Sequence, residues 1–240
     1  MIILRGKGGS STAKALAEFI GCQTYKKKPR YCDDFIVNYG ANEPTAHLNK
    51  HIVYNKYKQF CILKENGVPV PEFYSKTELE KCNSFPVLGR KIYHSQGKDI
   101  IFINSKKELY STPQSRYDFL VKYYPITSEY RAHVLGKYVD FISAKVQENK
   151  NEDVFDKIRS RRLGWVQVEY EGEFTQQIID IAKKSILALK FDFGAVDIIR
   201  SKDRLYVLEV NSAPSLEERK LVLYANFFKI RENQFMNRSR

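Results

Sequence analysis

The sequence lacks the features that mark several large protein classes. No apolar run approaches the ~20 residues that a membrane-spanning helix needs. No repeat recurs along its 240 residues and no segment is of low complexity, which points to an ordinary globular chain. The four cysteines, Cys22, Cys32, Cys61 and Cys82, match neither a zinc-ligand spacing nor a Cys-x-x-Cys redox motif. They leave most of the chain without a staple, so the expected setting is a reducing cytoplasm. Met1-Ile2-Ile3-Leu4 is too short for a signal-peptide core and runs into polar, Gly-rich sequence, so no export and no membrane partner are expected. No Ser-His-Asp or Cys-His arrangement stands out, and His94 reads as a polar loop residue rather than a base.

Acidic residues are also outnumbered, 28 against 40 basic ones, for a net charge of +12. That excess favours anionic partners such as a nucleoside triphosphate, an acidic peptide or a nucleic acid. It is concentrated at Lys26-Lys27-Lys28-Pro29-Arg30, at Arg159–Arg162 and in the C-terminal tail; a solvated surface explains much of the remainder. At 43% hydrophobic and 13% aromatic residues, the chain can bury one good core or two small ones.

The most informative stretch is Phe193–Leu216, FGAVDIIRSKDRLYVLEVNSAPSL. Two apolar runs flank the polar tetrapeptide SKDR and predict a β-hairpin. Each run carries a carboxylate, Asp197 in the first and Glu209 in the second. Side chains alternate along a strand, so Glu209 and Asn211 share a face. Burial of such acids is costly unless they are paired or bound to metal. Two carboxylates and an amide oxygen are hard ligands of the kind Mg²⁺ takes. Asp197 faces Glu209 only if the connection has an odd length or a strand carries a bulge. A plain two-residue turn would put Leu208 opposite Asp197 instead. A surface hairpin with solvated acids is the alternative, and the Val, Ile and Leu neighbours argue against it.

D-I-I, followed by L-Y-V-L-E-V-N-S-A-P, resembles the metal-binding end of the ATP-grasp superfamily. Its members include D-alanine–D-alanine ligase, glutathione synthetase and the ribosomal-protein glutamate ligases. The resemblance implies an α+β fold in which two lobes with antiparallel sheets clasp ATP. It also implies that Asp197, Glu209 and Asn211 hold two Mg²⁺ ions against the phosphates. Where the family has a small residue, Pro and Gly, this chain has Ala213-Pro214-Ser215.

Residues 1–48 read as a shortened N-terminal α/β lobe: strand MIILR, Gly-rich turn GKGGSST, helix AKALAEFI and a second strand ending at Gly40. Lys7 precedes the second glycine, which is the wrong order for a Walker A loop. Residues 49–120 are expected to form a central lobe and 121–240 a C-terminal one, with the matching motifs spanning roughly 50–216. A helix is predicted from His47 to Asn66 with Gly67 as its C-cap. Within it Asn55-Lys56 resembles the family's Asp-Lys, whose Lys reaches an ATP phosphate; Lys56 fits a solvated lysine equally well. GVPVPEFY, with its two prolines, predicts an extended linker. Phe85–Ile103 resembles the strand–loop–strand cover over the triphosphate, with Arg90 at the place of the family's Lys.

Tyr117–Val134 resembles the hinge between lobes. By resemblance Lys122, Tyr123 and Tyr124 line the adenine and Glu129 accepts from the ribose hydroxyls. Arg131, on the same strand face as Glu129, would meet the phosphate or acyl phosphate, and Lys145 holds the place of a second basic residue facing the phosphates. Arg159, Arg161 and Arg162 are loop candidates for the same duty. Phe174–Leu189 has the spacing of an amphipathic helix packed beneath the hairpin, and a final helix is predicted after Pro214.

The resemblance implies an ADP-forming carboxylate–amine ligase that uses ATP and Mg²⁺. The acceptor would be an acidic peptide, an amine-bearing nucleic acid or a free amino acid. A module that binds ATP or nucleic acid without ligation, and a kinase-like phosphotransferase, are the alternatives.

Overall fold

The computed structural model describes residues 1–6, 10–93, 100–148, 159 and 164–238. The Gly-rich turn and the loop at HSQGK, like Arg161 and Arg162, lie largely or wholly outside them.

Three sheets organise the described residues. The first carries parallel strands β1 (Ile2–Arg5), β2 (Gln23–Tyr25) and β3 (Ile36–Tyr39), in the order β2-β1-β3, with helix α1 (Ser10–Ile20) between β1 and β2. Helix α2 (Lys56–Glu65) leads to an antiparallel sheet of β4 (Phe73–Ser75), β5 (Val87–Arg90), β6 (Ile101–Ile103) and β7 (Phe119–Lys122), ordered β4-β7-β5-β6. Short helix α3 (Lys106–Ser111) follows β6. The third sheet is antiparallel throughout and has five strands: β8 (Ser128–Leu135), β9 (Tyr138–Gln147), β10 (Trp165–Glu169), β11 (Phe193–Ser201) and β12 (Arg204–Asn211), ordered β10-β9-β8-β11-β12. Helix α4 (Thr175–Ala188) precedes β11, and α5 (Glu218–Arg238) ends the described chain.

Strand alternation gives the five-stranded sheet one apolar face. Tyr130, Ala132, Val196, Ile198, Val207 and Val210 pack there against Ile178, Ala182 and Ile186 of α4. This is the packing that the spacing of Phe174–Leu189 predicts. Helix α5 packs between α1 and the start of β11, where Tyr224, Ala225 and Phe228 share a core with Leu16, Ala17 and Phe193.

The helix predicted over 47–66 is shorter, because it begins only at Lys56. Residues 47–49 are taken up by β3: the N–H groups of His47 and Leu48 both donate to the Ile36 carbonyl, and the Asn38 N–H donates to the Leu48 carbonyl. Asn49 is fully buried in the left-handed region (φ 52°). Its amide oxygen accepts from the Asp192 and Phe193 N–H groups, and its Nδ2 donates to the Phe193 carbonyl at 3.0 Å. Asn55 then caps α2 by accepting from the Lys58 N–H. Gly67 follows the helix end at φ +67°, a conformation that suits glycine. Residues 68–72 of the linker carry no regular structure, and the Pro69 carbonyl accepts from the Val207 N–H.

Candidate active site

The carboxylates of the hairpin do face each other. Asp197 pairs with Glu209 and Ala195 with Asn211, while Ile198 pairs with Val207. Leu208 is therefore the extra residue of a bulge, and the turn itself is the two-residue Lys202–Asp203, with Lys202 at φ 52°. Of the two conditions weighed from the sequence, the odd-length connection is not met, and the bulge alone restores the opposition.

Next to β11, β8 places Arg131 directly across from Asp197 and Glu129 across from Ile199. Arg131 grips Asp197 with two bonds, Nε to Oδ1 at 2.6 Å and a terminal nitrogen to Oδ2 at 2.8 Å. Asn211 Nδ2 donates to the same Asp197 Oδ2 at 3.2 Å. Lys145 of β9 donates to Glu129 and to the Arg159 carbonyl, and Arg159 in turn donates to the Ile126 carbonyl at 2.7 Å and lies 4.4 Å over the Trp165 ring. Asp197, Glu209, Asn211, Arg131, Glu129 and Lys145 thus share the face opposite α4.

From the other side, α2 contributes Lys56, whose ammonium bonds Glu209 Oε2 at 2.5 Å. One turn on, the buried Gln59 holds both polar groups of Val210: its Oε1 accepts from the N–H at 3.1 Å and its Nε2 donates to the carbonyl at 3.2 Å. Gln59 therefore fixes the strand between Glu209 and Asn211. The sequence reading missed it, although a glutamine on the same helical face as Lys56, Phe60 and Leu63 was the available signal. Arg90 is buried, with its guanidinium 5.9 and 5.8 Å from the rings of Phe60 and Phe119, and its charge acts on Glu209.

The hinge residues lie apart from this cluster. Lys122 pairs with Glu72 at 3.4 Å and sits over the Tyr124 ring. Tyr124 stacks on Tyr206 of β12 at 4.6 Å, and Tyr123 meets Phe102 of β6 at 5.6 Å. They connect the four-stranded sheet to β12, whereas Glu129 is engaged with Lys145.

Burial and charge oppose one another across the face. Burial disfavours the Glu209 carboxylate, yet Lys56 and Arg90 outweigh it and hold the group down to about 2. At Glu129 burial wins and raises the carboxyl, with Lys145 pulling the other way. The Asp197 charge raises Arg131 above its ordinary value, and burial lowers Arg90. His133, two residues beyond Arg131, is pushed down to about 3 by burial and then by Arg131 and Lys220; its Nδ1 meets the Tyr224 hydroxyl at 3.0 Å.

Among the described residues no group of three or more His, Cys, Asp or Glu could hold a metal. A metal here would draw on the carboxylates of Asp197 and Glu209 and the amide oxygen of Asn211. Those are hard oxygen donors converging from two paired strands, and they fit Mg²⁺.

The chain matches the model of the RimK-like ATP-grasp domain over residues 53–227. It is 28% identical over 192 residues to a probable alpha-L-glutamate ligase of Histophilus somni (strain 2336), covering 73% of this chain and 60% of that protein. A probable alpha-L-glutamate ligase of Haemophilus influenzae (strain PittEE) is 27% identical over 216 residues, covering 82% and 66%. The chain thus spans about 60–66% of the length of these relatives. In structure it resembles D-alanine–D-alanine ligase from Bacillus anthracis complexed with ATP, with a TM-score of 0.70 at 14% identity, covering all of this chain and 98% of that one. The antiparallel sheets, the paired carboxylates of the hairpin and the match over residues 53–227 converge: the chain belongs to the RimK-like ATP-grasp family.

Proposed function

We propose that the chain is an ADP-forming ligase that joins a carboxylate to an amine through an acyl phosphate. The observation that carries the reading is the single face on which Asp197 opposes Glu209, with Asn211 bonded to Asp197, beside the cations Arg131, Lys145, Lys56 and Arg90. In this reading Asp197, Glu209 and Asn211 hold two Mg²⁺ ions, which when bound neutralise charge on the triphosphate.

Each cation is already ion-paired or acts on a carboxylate, so arrival of ATP exchanges one anionic partner for another. Lys56 and Arg90 turn from Glu209 to the phosphates, and Lys122, Tyr123, Tyr124 and Glu129 hold the nucleoside. A substrate carboxylate oxygen attacks the γ-phosphorus, the bond to the β-phosphate oxygen breaks, and ADP leaves. Arg131 and Lys145 steady charge on the transferred group. The amine nitrogen then attacks the acyl carbon, phosphate departs with the electron pair of the C–O bond, and the nitrogen loses a proton.

Because the curated relatives are named as glutamate ligases, L-glutamate is the amine we favour. The net charge of +12 supports an anionic carboxylate substrate such as an acidic peptide, and a cytoplasmic setting fits the supply of ATP. No helix among the described residues is long and apolar enough to cross a membrane.

Hydroxylamine tests the chemistry without knowledge of the amine. With Mg²⁺–ATP and a pool of carboxylates, including peptides ending in glutamate, the reading expects a hydroxamate formed one-for-one with ADP. ADP accompanied by a stable phosphorylated product and no hydroxamate would favour a kinase-like enzyme instead.

A further inference from the structure

A cavity of about 170 Å³ lies between the start of β3 and the last turns of α5. It is remote from the carboxylate face. Phe35 at its wall precedes β3, whereas Tyr39 at the far end of that strand donates to the Pro214 carbonyl, beyond the hairpin. The four residues of β3, at ~3.3 Å each, put roughly 13 Å between the two ends.

One wall is aromatic. His47 stacks on Phe35 with ring centres 5.0 Å apart and meets Phe235 edge-on at 4.3 Å. The other wall is cationic, formed by Arg231 and Arg238 with the amide of Gln234 between them. His47 Nδ1 accepts the Ile36 N–H at 2.9 Å, so in the neutral ring the proton sits on Nε2, which becomes a donor. Lys28, held by Thr45 at 3.2 Å, adds a positive charge that acts on His47.

The nearby carboxylates are engaged elsewhere. Asp34 and Glu232 both pair with the Met1 ammonium, at 3.5 and 2.8 Å, and Asp192, which senses Arg231, accepts the Asn49 N–H at 2.6 Å. Among the described residues neither Arg231 nor Arg238 has a carboxylate within ion-pairing distance, and Arg231 donates instead to Gln234 Oε1 at 3.2 Å.

We propose that this cavity is a second binding site, for a carboxylate or phosphate oxyanion carried on a small apolar body. Guanidiniums suit either oxyanion, and the aromatic wall of this half-open cavity suits the body. Leu48 lines the same cavity, and its neighbour Asn49 ties the first lobe to Asp192 and Phe193, at the start of the strand that carries Asp197. An occupant therefore bears on the junction between the first sheet and the active-site sheet, which is the position of an effector.

The test uses the full chain with benzoate, phenyl phosphate and uncharged benzamide as probes, followed by NMR at the His47 ring, assigned against H47N. Reading the shift at His47 separates this site from anion binding at the ATP face. The expected result is a saturable His47 shift with benzoate, with phenyl phosphate or with both, and none with benzamide. Benzoate alone would mark the natural ligand as a carboxylate, phenyl phosphate alone as a phosphate. R231Q/R238Q should weaken binding by about tenfold or more with the melting temperature little changed, since both side chains are exposed. R238Q alone, in the last described turn, provides the same comparison if the double variant is unstable. No saturable shift with either anion, an equal response to benzamide, or undiminished binding in the arginine variants would overturn the proposal.

Discussion

The two faces of the five-stranded sheet are built from the same strands with opposite chemistry. Val196, Ile198, Tyr130, Ala132 and Val210 face α4, while their chain neighbours Asp197, Arg131, Glu129, Glu209 and Asn211 face the other way. The apolar face stabilises the fold by removing aliphatic surface from water. The polar face assembles three ion pairs whose side chains are only 10–21% exposed, and such pairs contribute little net stability after desolvation. One face holds the strands in register; the other uses that register to bring charges together. Substitutions on the two faces should therefore fail in different ways.

The largest effect is expected on the polar face. Under the proposed function, Asp197→Asn and Glu209→Gln should each lower Mg²⁺-dependent turnover by roughly a thousandfold, about 4 kcal/mol of transition-state stabilisation. Each also strands a buried cation, Arg131 or Lys56, so a stability loss of up to ~3 kcal/mol should accompany it. Turnover measured per folded molecule separates the two, and near-normal turnover in both variants would remove the metal assignment. Arg131→Ala should reduce turnover by about a hundredfold while ATP affinity falls far less. Equal losses in both would make Arg131 a simple binding residue.

The apolar face should give the converse. Ile198→Ala, at a fully buried position between Asp197 and Ile199, should cost about 3 kcal/mol of unfolding free energy. Its turnover per folded molecule should stay within a few-fold of normal. A catalytic collapse equal to that of Asp197→Asn would show that the faces are not separable.

The smallest effect is a pH dependence. Glu209 is held at about 2, below its ordinary value of 4.5, so its contribution is fully present above pH 4.5 and is lost as pH falls toward about 2. That window is worth at most ~3 kcal/mol. Glu129, raised by burial, acts in the opposite sense and reduces the net slope. Chemical denaturation between pH 5 and 2.5 should show a shallower loss of stability in Glu209→Gln than in the unsubstituted chain; parallel curves would dissociate Glu209 from the linkage.

What could be read from the sequence follows the range of the interactions involved. Alternation put Asp197 and Glu209 into strands, and the arithmetic of the turn required a bulge or an odd loop. The bulge at Leu208 was not itself legible, because its choice depends on sheet twist and on the packing of Val207 against α4. The same alternation placed Glu129 and Arg131 on one face. By contrast, the start of α2 was misread because the stop signal is tertiary: Asn49 answers to Asp192 and Phe193, more than 140 positions away. Strand β2 was missed, since Gln23-Thr24-Tyr25 is too short for a period to show. Gln59 escaped notice for a related reason, as an isolated amide on a helix signals nothing until β12 lies against it.

The measurement that tests the central claim most directly is release of ADP and phosphate from Mg²⁺–ATP across paired pools of carboxylates and amines, with L-glutamate and acidic peptides included. The account predicts release that requires both a carboxylate and an amine, with amide formed in equal amount and lost in Asp197→Asn. ATP turnover that proceeds at the same rate without either substrate, or survives Asp197→Asn unchanged, would contradict it.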